Sequence, residues 1–292
     1  MSTDPSPRPA DARPAIVITG ASSGIGAACA RACAGGGWNV LLNARRADAL
    51  ERVAADCRAA GARAEVVVGD VCDPGMSERL LDHSDHSFGG AYAVFANAGF
   101  GFMKQTHETG DAELRRIFEV NLFAGLELLT QAARRLLDRP APGGASPATG
   151  AAGRRGHLLM CSSALAKFTL PAFAAYSATK AAQSHFCRAM RMELRGRGIE
   201  VSCVHPITTE TEFFEPATLS SQGVTGHQAR MNAPRWMVQR PEVVARAVLR
   251  CLRRPRAEVW TSPAARLLAG LVTIFPSMLD RAGKQMTRTR VE

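Results

Sequence analysis

Three polar residues have the types and spacing needed for chemistry on a carbonyl group. Tyr176 and Lys180 are four residues apart, so they share a face if the segment is helical. A phenol, with an ordinary pKa of about 10, is a poor acid or base at neutral pH, and a nearby ammonium would lower that pKa. Ser163 could hydrogen-bond a substrate oxygen while Tyr176 exchanges a proton with it. The three residues indicate ketone–alcohol interconversion, although an exposed helix turn would also accommodate the Tyr–Lys pair alone.

A glycine-rich turn near the start of the chain predicts a dinucleotide site. It follows an apolar run and precedes an amphipathic segment, which is the strand–turn–helix context that binds phosphates. Glycine lets the backbone approach the phosphates, and the N-terminus of the following helix attracts anions. The predicted cofactor contacts of this turn are Gly20, Ser22, Ser23, Gly24, Ile25 and Gly26.

Two arginines after the second apolar run favour NADP(H). An NAD site would be expected to have Asp or Glu here, to accept a hydrogen bond from the ribose 2′-OH. The chain instead has Ala44-Arg45-Arg46, and guanidinium groups can bind a 2′-phosphate bidentately. The alternative is a solvated pair that opens a surface helix.

Two further segments follow the third and fourth apolar runs. Asp70, with Val71 beside it, could accept a hydrogen bond from the adenine amino group. The Asn97-Ala98-Gly99 segment would bring backbone against the adenosine ribose. Each is weak evidence alone, but the carboxyl ends of parallel strands are where such sheets bind ligands.

The elements that must position these residues alternate along the chain. Strands are predicted at Ala15–Thr19, Val40–Ala44, Ala64–Val68, Tyr92–Ala96, His157–Cys161, Glu200–Val204 and, more weakly, Glu258–Thr261. Helices are predicted near 25–35, 48–60, 74–83, 111–138, 175–196 and 241–253. This order predicts an α/β fold with a doubly wound parallel sheet, Rossmann-like, of about seven strands with helices on both faces.

The remaining segments suggest the organisation around this domain. We expect one oxidoreductase domain over residues 14–262, preceded by a disordered segment, 1–13. Within it, Pro/Gly-rich residues 139–155 form a flexible insertion and 207–240 a substrate lid. Residues 263–292 form a C-terminal helical extension.

Charge and cysteine content exclude several functions. The net charge is +10 and the pI about 9.7, yet no run of five like charges occurs, so nucleic acid is not an expected partner. The eight cysteines contain no CxxC pair, which predicts reduced thiols and no metal site. The sequence has no apolar stretch of the roughly 18 residues that a bilayer span needs, and no leader. We expect a cytoplasmic protein.

Together these motifs resemble the short-chain dehydrogenase/reductase family over residues 15–262, in its NADP-preferring form. The motifs are Thr19-Gly20-Ala-Ser-Ser-Gly24-Ile-Gly26, Asn97-Ala-Gly, Asn121 in Val-Asn-Leu, Ser163 and Tyr176-x-x-x-Lys180. The resemblance implies that Tyr176 is the catalytic acid/base and that Ser163 polarises the carbonyl. It implies that Lys180 binds the nicotinamide ribose and lowers the pKa of Tyr176. Asn121 would hold a water of a proton relay, and Arg45 would select NADP(H).

One motif departs from the family pattern. The family usually has Pro-Gly after the sixth strand, whereas this chain has Pro206-Ile207. A gapless comparison assigns the backbone contact with the nicotinamide carboxamide to Thr209 and the hydroxyl contact to Thr211. Ile207 adds bulk and removes a flexible position. The resemblance also implies a homodimer or homotetramer that pairs through the helices near 111–138 and 175–196.

The segments expected to face the substrate are apolar. They are 100–106, 164–173 and 207–240, which contribute Phe100, Phe102, Met103, Leu165, Phe168, Leu170, Phe173, Phe213, Phe214 and Trp236. A hydrophobic carbonyl or alcohol is therefore the expected partner. Two other functions remain open: a catalytically silent NADP(H) sensor, suggested by Ile207, and a nucleic-acid or membrane adaptor driven by charge. Residues 264–290 could contact a membrane or close over the core.

Overall fold

Seven of the predicted apolar runs are strands of one parallel sheet. The computed structural model describes residues 13–139, 153–210 and 238–280. The strands are β1 Ala15–Thr19, β2 Asn39–Ala44, β3 Ala64–Val68, β4 Ala93–Ala96, β5 Gly156–Cys161, β6 Ile199–His205, β7 Thr208–Thr209, β8 Val238–Gln239 and β9 Glu258–Trp260. The large sheet has the order β3-β2-β1-β4-β5-β6-β9, and β7 pairs with β8 separately.

The helices connect these strands and cover both faces of the sheet. They are α1 Gly24–Gly35, α2 Ala47–Ala59, α3 Met76–Phe88, α4 Asp111–Phe118, α5 Ala124–Asp138, α6 Ala174–Leu194, α7 Pro241–Arg253 and α8 Pro263–Ile274. The strand order changes direction between β1 and β4, which creates a crevice at their carboxyl ends. The predicted doubly wound, Rossmann-like fold is confirmed.

Two hydrophobic cores lie on opposite faces of the sheet. One joins α1, α2 and α7 and includes the fully buried Trp38 and Val248. The other joins α3, α5 and α6 and includes Leu129 and Cys187. Residues 15–19 and 39–44 are buried throughout, because a parallel strand is covered on both sides. The eight cysteines are all free thiols.

The structure corrects two of the predicted helices. The segment predicted as one helix over 111–138 is α4, a π-helical turn at Glu119–Phe123, and α5. The helix predicted over 74–83 begins at Met76 and extends to Phe88. Its ends are set by Gly75 and Gly89, which adopt the left-handed backbone conformation that glycine tolerates best.

The predicted boundary segments fall largely outside the described residues. This applies to the disordered N-terminal segment, the flexible insertion, most of the substrate lid and the end of the C-terminal extension. The lid's two flanks are described, however. Thr208 pairs with Val238 and Thr209 with Gln239 in the parallel β7–β8 ladder, and the Glu210 N–H donates to the Gln239 carbonyl. The described residues on either side of 211–237 therefore lie side by side.

Candidate active site

The glycine-rich turn lies at the carboxyl end of β1, where backbone approaches backbone. A Cβ added to Gly26 would lie 2.2 Å from the Gly20 carbonyl oxygen, and one added to Gly20 would lie 2.9 Å from the Ala98 Cα. The φ angles of Gly20 and Gly24 are +65° and +55°. No side chain of the described residues caps the first turn of α1, so its N–H groups are available to an anion.

The Asn97-Ala98-Gly99 segment braces this turn. The Asn97 side-chain amide donates to the Thr19 carbonyl at 3.0 Å, and the Asn97 and Ala98 N–H groups both donate to Thr19 Oγ1 at 3.0 Å. This support was not predicted, because the sequence suggested only a backbone contact with a ribose. The segment lies beside the crevice, as expected for either role.

A cluster of arginines lies at the carboxyl ends of β2 and β3. Arg46 donates to Ser23 Oγ at 2.8 Å and to Ser22 Oγ at 3.4 Å. The Arg45 guanidinium is 3.9 Å from the Asp70 carboxylate, and 68% of its side-chain surface is exposed. The two predicted arginines therefore lie at the rim of the crevice, beside the glycine-rich turn.

Asp70 is held by an arginine that the sequence did not indicate. Arg116 of α4 donates to Asp70 Oδ2 at 2.8 Å, and the Cys72 N–H donates to Asp70 Oδ1 at 3.1 Å. Burial raises the pKa of Asp70, but these bonds and the charge of Arg45 outweigh it, so the pKa lies below the ordinary value. Val71, which was also predicted to contact the cofactor, is the next residue after Asp70. Because Arg116 is 46 residues from Asp70 in the chain, no local sequence pattern predicts this ion pair.

The three residues predicted to act on the carbonyl are buried together at the end of β5. Tyr176, Lys180 and Ser163 are 7%, 2% and 8% exposed. The Lys180 ammonium lies 5.5 Å from the centroid of the Tyr176 ring and donates to the Cys161 carbonyl at 2.8 Å. The Ser162 hydroxyl donates to the Lys180 carbonyl at 2.8 Å, which fixes α6 to the strand.

Burial dominates the protonation of this group. It raises the pKa of the Tyr176 phenol well above the ordinary value, although a hydrogen bond with Ser163 opposes the shift. Burial also lowers the pKa of Lys180. The role of Lys180 in lowering the pKa of Tyr176 stays a prediction; in this structure its ammonium donates to the Cys161 carbonyl and lies over the Tyr176 ring.

Asn121 lies within the π-helical turn and connects three parts of the site. Its side chain accepts from the Phe100 N–H and donates to the Phe100 carbonyl, both at 2.9 Å. It also donates to the Thr179 hydroxyl at 3.3 Å, which in turn donates to the Tyr176 carbonyl at 2.7 Å. A π turn displaces backbone carbonyls from their usual i+4 partners, and the buried Gln183 amide donates to the carbonyl of Asn121. Sequence reasoning did not single out Gln183.

His205 supports Ser163 from the end of β6. The Ser162 and Ala164 N–H groups bond to the Val204 and Pro206 carbonyls at 2.8 and 2.9 Å. Pro206 has no N–H group, so it cannot donate a backbone hydrogen bond to the segment that follows β5. The Ser163 carbonyl accepts a hydrogen bond from Nδ1 of the His205 ring at 2.9 Å. A carbonyl only accepts, so this nitrogen carries the proton.

A second layer holds the His205 ring. It stacks on Trp260 with ring centroids 4.7 Å apart, and the Trp260 indole donates to Glu258 at 3.0 Å. Lys167, just after Ser163 in the chain, donates to Glu258 at 2.8 Å. The strand β9 is thereby tied to the segment that carries Ser163, through side chains that the sequence did not single out.

Replacing Glu258 with glutamine is expected to destabilise the fold by about 1–3 kcal/mol at pH 7. Burial raises the pKa of Glu258, but hydrogen bonds from Lys167 and Trp260 bring it to about 2. An unfolded glutamate has a pKa of about 4.3. The stabilisation is therefore complete above that value and is lost as the pH falls through the folded pKa.

Urea unfolding of the protein and of Glu258→Gln at pH 7 and at pH 2–3 measures this difference. The gap in unfolding free energy should shrink at the acidic pH. Glu193→Gln, which removes an exposed carboxylate of α6, is the matched control and should change little. A gap that stays constant with pH would contradict the assignment.

The two loops that face the crevice are joined to each other. The Lys104 N–H donates to the Ala172 carbonyl at 3.0 Å, and the Phe100 and Phe102 rings lie 6.4 Å apart. Among the described residues, Ala172 is the only non-glycine with a positive φ, at +68°. It occupies a Leu170–Phe173 turn closed by a 3.1 Å bond, where glycine would be less strained.

The departure at Ile207 is compatible with an ordinary backbone. Ile207 does not have a positive φ, so no glycine is required at this position. Its carbonyl accepts from the Thr209 hydroxyl at 2.8 Å, and Gln239 donates to the same hydroxyl at 3.2 Å. Thr211, the other predicted contact, lies outside the described residues.

Comparison with known proteins places this geometry in a family. The model of the short chain dehydrogenases matches residues 14–221. Over 206 residues, the chain is 34% identical to the 1-deoxy-11-beta-hydroxypentalenate dehydrogenase of Streptomyces exfoliatus, covering 70% of each protein.

Solved structures agree with this result. The alcohol dehydrogenase of Thermococcus sibiricus, complexed with 5-hydroxy-NADP, superposes with a TM-score of 0.68 at 27% identity, covering 85% of this chain and 95% of that one. A short chain dehydrogenase/reductase of Burkholderia phymatum, in complex with NAD, shares the fold with a TM-score of 0.76 at 21% identity, covering 91% and 95%. The chain belongs to the short-chain dehydrogenase/reductase family, whose oxidoreductases act on alcohols and carbonyl compounds.

Proposed function

We propose that this protein is an NADP(H)-dependent oxidoreductase that interconverts a ketone or aldehyde with an alcohol, on a hydrophobic substrate. The observation that carries the proposal is the burial of Tyr176, Lys180 and Ser163 together at the end of β5, beside the crevice. Asn121 and His205 hold this group from two sides.

Several features of the crevice support a dinucleotide as its ligand. The uncapped first turn of α1 suits a pyrophosphate, and the close approach of Gly26 to Gly20 leaves no room for a side chain between them. Residues that would hold the cofactor are the glycine-rich turn, Arg45, Arg46, Asp70, Val71, the Asn97–Gly99 segment, Lys180, Thr209 and Thr211. Bound NADPH would supply the hydride.

The protein's own residues manage the proton. Burial keeps the Tyr176 phenol neutral at physiological pH, so it can donate its proton to the oxygen of a carbonyl substrate. The Ser163 hydroxyl donates a hydrogen bond to the same oxygen, where negative charge develops. Lys180 would hold the nicotinamide ribose, and the Asn121 turn would keep α6 in register with the crevice. In the reverse direction Tyr176 must first lose its proton, so alcohol oxidation should accelerate as the pH rises.

The choice of NADP(H) rests on the arginine cluster. Arg45 and Arg46 lie at the rim, no carboxylate follows β2 directly, and Arg46 already contacts Ser22 and Ser23. A 2′-phosphate would add a strong bidentate partner for these groups. The related structures include one with an NADP derivative and one with NAD. Measurement on this protein must therefore distinguish the two cofactors.

Arg45→Asp is expected to weaken NADPH binding by about 10- to 100-fold, with a far smaller effect on NADH, because a charge-assisted bond is replaced by repulsion. Fluorescence titration with both cofactors gives the two dissociation constants. Arg52→Asp, the same charge change at an exposed position of α2, should leave their ratio unchanged. Equal affinity of the unmodified protein for both cofactors would exclude the preference.

The preference for an apolar substrate is supported by the aromatic loops beside the crevice. Phe100 and Phe102 lie in contact there, and Phe168 and Phe173 belong to the opposite loop. The relative from Streptomyces is named for a hydroxypentalenate. Screening ketones and aldehydes of graded hydrophobicity with NADPH tests the proposal. Turnover confined to small, charged carbonyl compounds would contradict it.

A homodimer or homotetramer is part of the same proposal. The helices expected to form the interface carry exposed apolar side chains in this structure. Phe123 is 53% exposed at the end of the π turn, and on α6 Phe186 and Met192 are 47% and 74% exposed. Burial of these side chains against a second copy would remove an unfavourable contact with water.

A further inference from the structure

The last described helix, α8, exposes a continuous apolar face. Leu267, Leu271 and Ile274 repeat at helical spacing and are 67%, 39% and 68% exposed. Beyond the end of the helix, Phe275 and Met278 are 55% and 45% exposed. We define these five side chains as the outer face of α8. Half of the ten large apolar side chains that the described residues expose lie here.

The inner face of α8 already has its partners in the domain. Ala265, Ala269 and Val272 are buried, and the helix contacts β9 and the turn at Ala164–Ala166. A helix that is apolar on both faces is normally buried on both. Because the inner residues are small, most of the hydrophobic area of the helix is on its outer face. That area is unfavourable in water unless another apolar surface covers it.

The charge of the sequence at and after α8 indicates which kind of surface would cover the outer face. No acidic residue occurs between Glu258 and Asp280, and Arg266 is exposed on α8 itself. The sequence that follows, 281–292, contains Arg281, Lys284, Arg288 and Arg290 against a single glutamate. Apolar side chains flanked by basic residues match the boundary of a bilayer that contains anionic lipids.

We propose that the outer face of α8 docks on an anionic lipid surface, with the helix lying in the plane of the interface. None of the described helices combines the length and the apolar content that crossing a bilayer requires, which is consistent with a helix that lies on the surface. Since α8 contacts the turn that follows Ser163, docking would place the crevice close to the bilayer. Uptake of an apolar substrate from the membrane would rest on the proposed function, but lipid binding itself does not.

Flotation of the full chain with liposomes tests the proposal. We expect the protein to float with phosphatidylcholine vesicles that contain about 30% phosphatidylglycerol, and much less with phosphatidylcholine alone. The floated fraction should fall as salt is added, because the basic residues contribute. The proposal would be overturned if the unmodified protein failed to float with the anionic vesicles even at low salt. Equal flotation with both kinds of vesicle would also overturn it.

Two sets of substitutions assign the binding to this surface. Leu267→Ser, Leu271→Ser and Ile274→Ser together should lower the vesicle partition coefficient about tenfold or more. Replacing the four basic residues of 281–292 with glutamine should remove the preference for anionic vesicles. Val68→Ser, at an exposed apolar side chain of β3 away from α8, is the control for general loss of hydrophobicity and should float normally.

Folding and oligomeric state are measured on the same samples. An unchanged NADPH dissociation constant and melting temperature show that the triple variant is folded. If that variant floats as well as the unmodified protein, the outer face is not the lipid contact. If it instead converts a dimer into a monomer, and the unmodified dimer does not float, a second copy covers the face and the proposal is wrong. If the protein binds vesicles but reduces no carbonyl compound, the lipid-docking proposal stands and the proposed enzymatic function fails.

Discussion

Tyr176→Phe is expected to reduce the turnover of carbonyl compounds by about 10²- to 10⁴-fold, the usual contribution of a general acid. The substitution removes only the hydroxyl, which is the group that delivers a proton to the substrate oxygen. The ring itself is buried and lies beside Lys180, so the packing of the site should persist. NADPH affinity should therefore change little, and the loss should appear in kcat rather than in cofactor binding.

The chain provides a matched control for this experiment. It contains two tyrosines, and the other, Tyr92, is buried against Trp38 with ring centroids 5.8 Å apart, in the core on the side of α1. Tyr92→Phe makes the same chemical change away from the crevice and should leave kcat nearly unchanged. Full activity of Tyr176→Phe would remove the phenol from the mechanism. Equal losses in both variants would point to a structural cause.

Gly26→Ala is expected to destabilise the fold by about 1–3 kcal/mol and to weaken cofactor binding at the same time. The added methyl group would lie 2.2 Å from the Gly20 carbonyl oxygen and 2.8 Å from the Asn97 amide nitrogen. Backbone cannot yield as the end of a flexible side chain can, so the turn between β1 and α1 must shift. That turn carries the N–H groups expected to bind the pyrophosphate.

The control for Gly26 lies in the same helix. A Cβ added to Gly35 meets nothing within 4 Å, and the residue has no positive φ. Gly35→Ala should therefore be neutral, or stabilising by about 0.4–1 kcal/mol through the unfolded state. Thermal unfolding and NADPH titration of both variants give the comparison. Normal cofactor affinity in a folded Gly26→Ala protein would show that the turn does not hold the phosphates as proposed.

The sequence alone was sufficient for the fold and for most of the residues at the crevice. Strands β1 and β3 have their predicted limits, β2, β4, β5 and β9 differ by one residue at one end, and β6 is one residue longer at each end. Apolar runs that are buried on both faces and separated by amphipathic segments leave few possible topologies. Ligands bind at the carboxyl ends of such strands. The places of Gly20, Arg45 and Tyr176 beside the crevice could therefore be predicted from which strand each residue follows in the chain.

The contacts that hold these residues in place were decided by tertiary structure. Arg116 reaches Asp70 across 46 residues, and Gln183 reaches the Asn121 carbonyl across 62. The support of Ser163 by His205 depends on the pairing of β5 with β6, and that of His205 by Trp260 on the pairing of β6 with β9. The burial that raises the pKa of Tyr176 likewise depends on the assembled structure. Local patterns record which residues face a core, whereas bonds between distant elements exist only once the sheet is assembled.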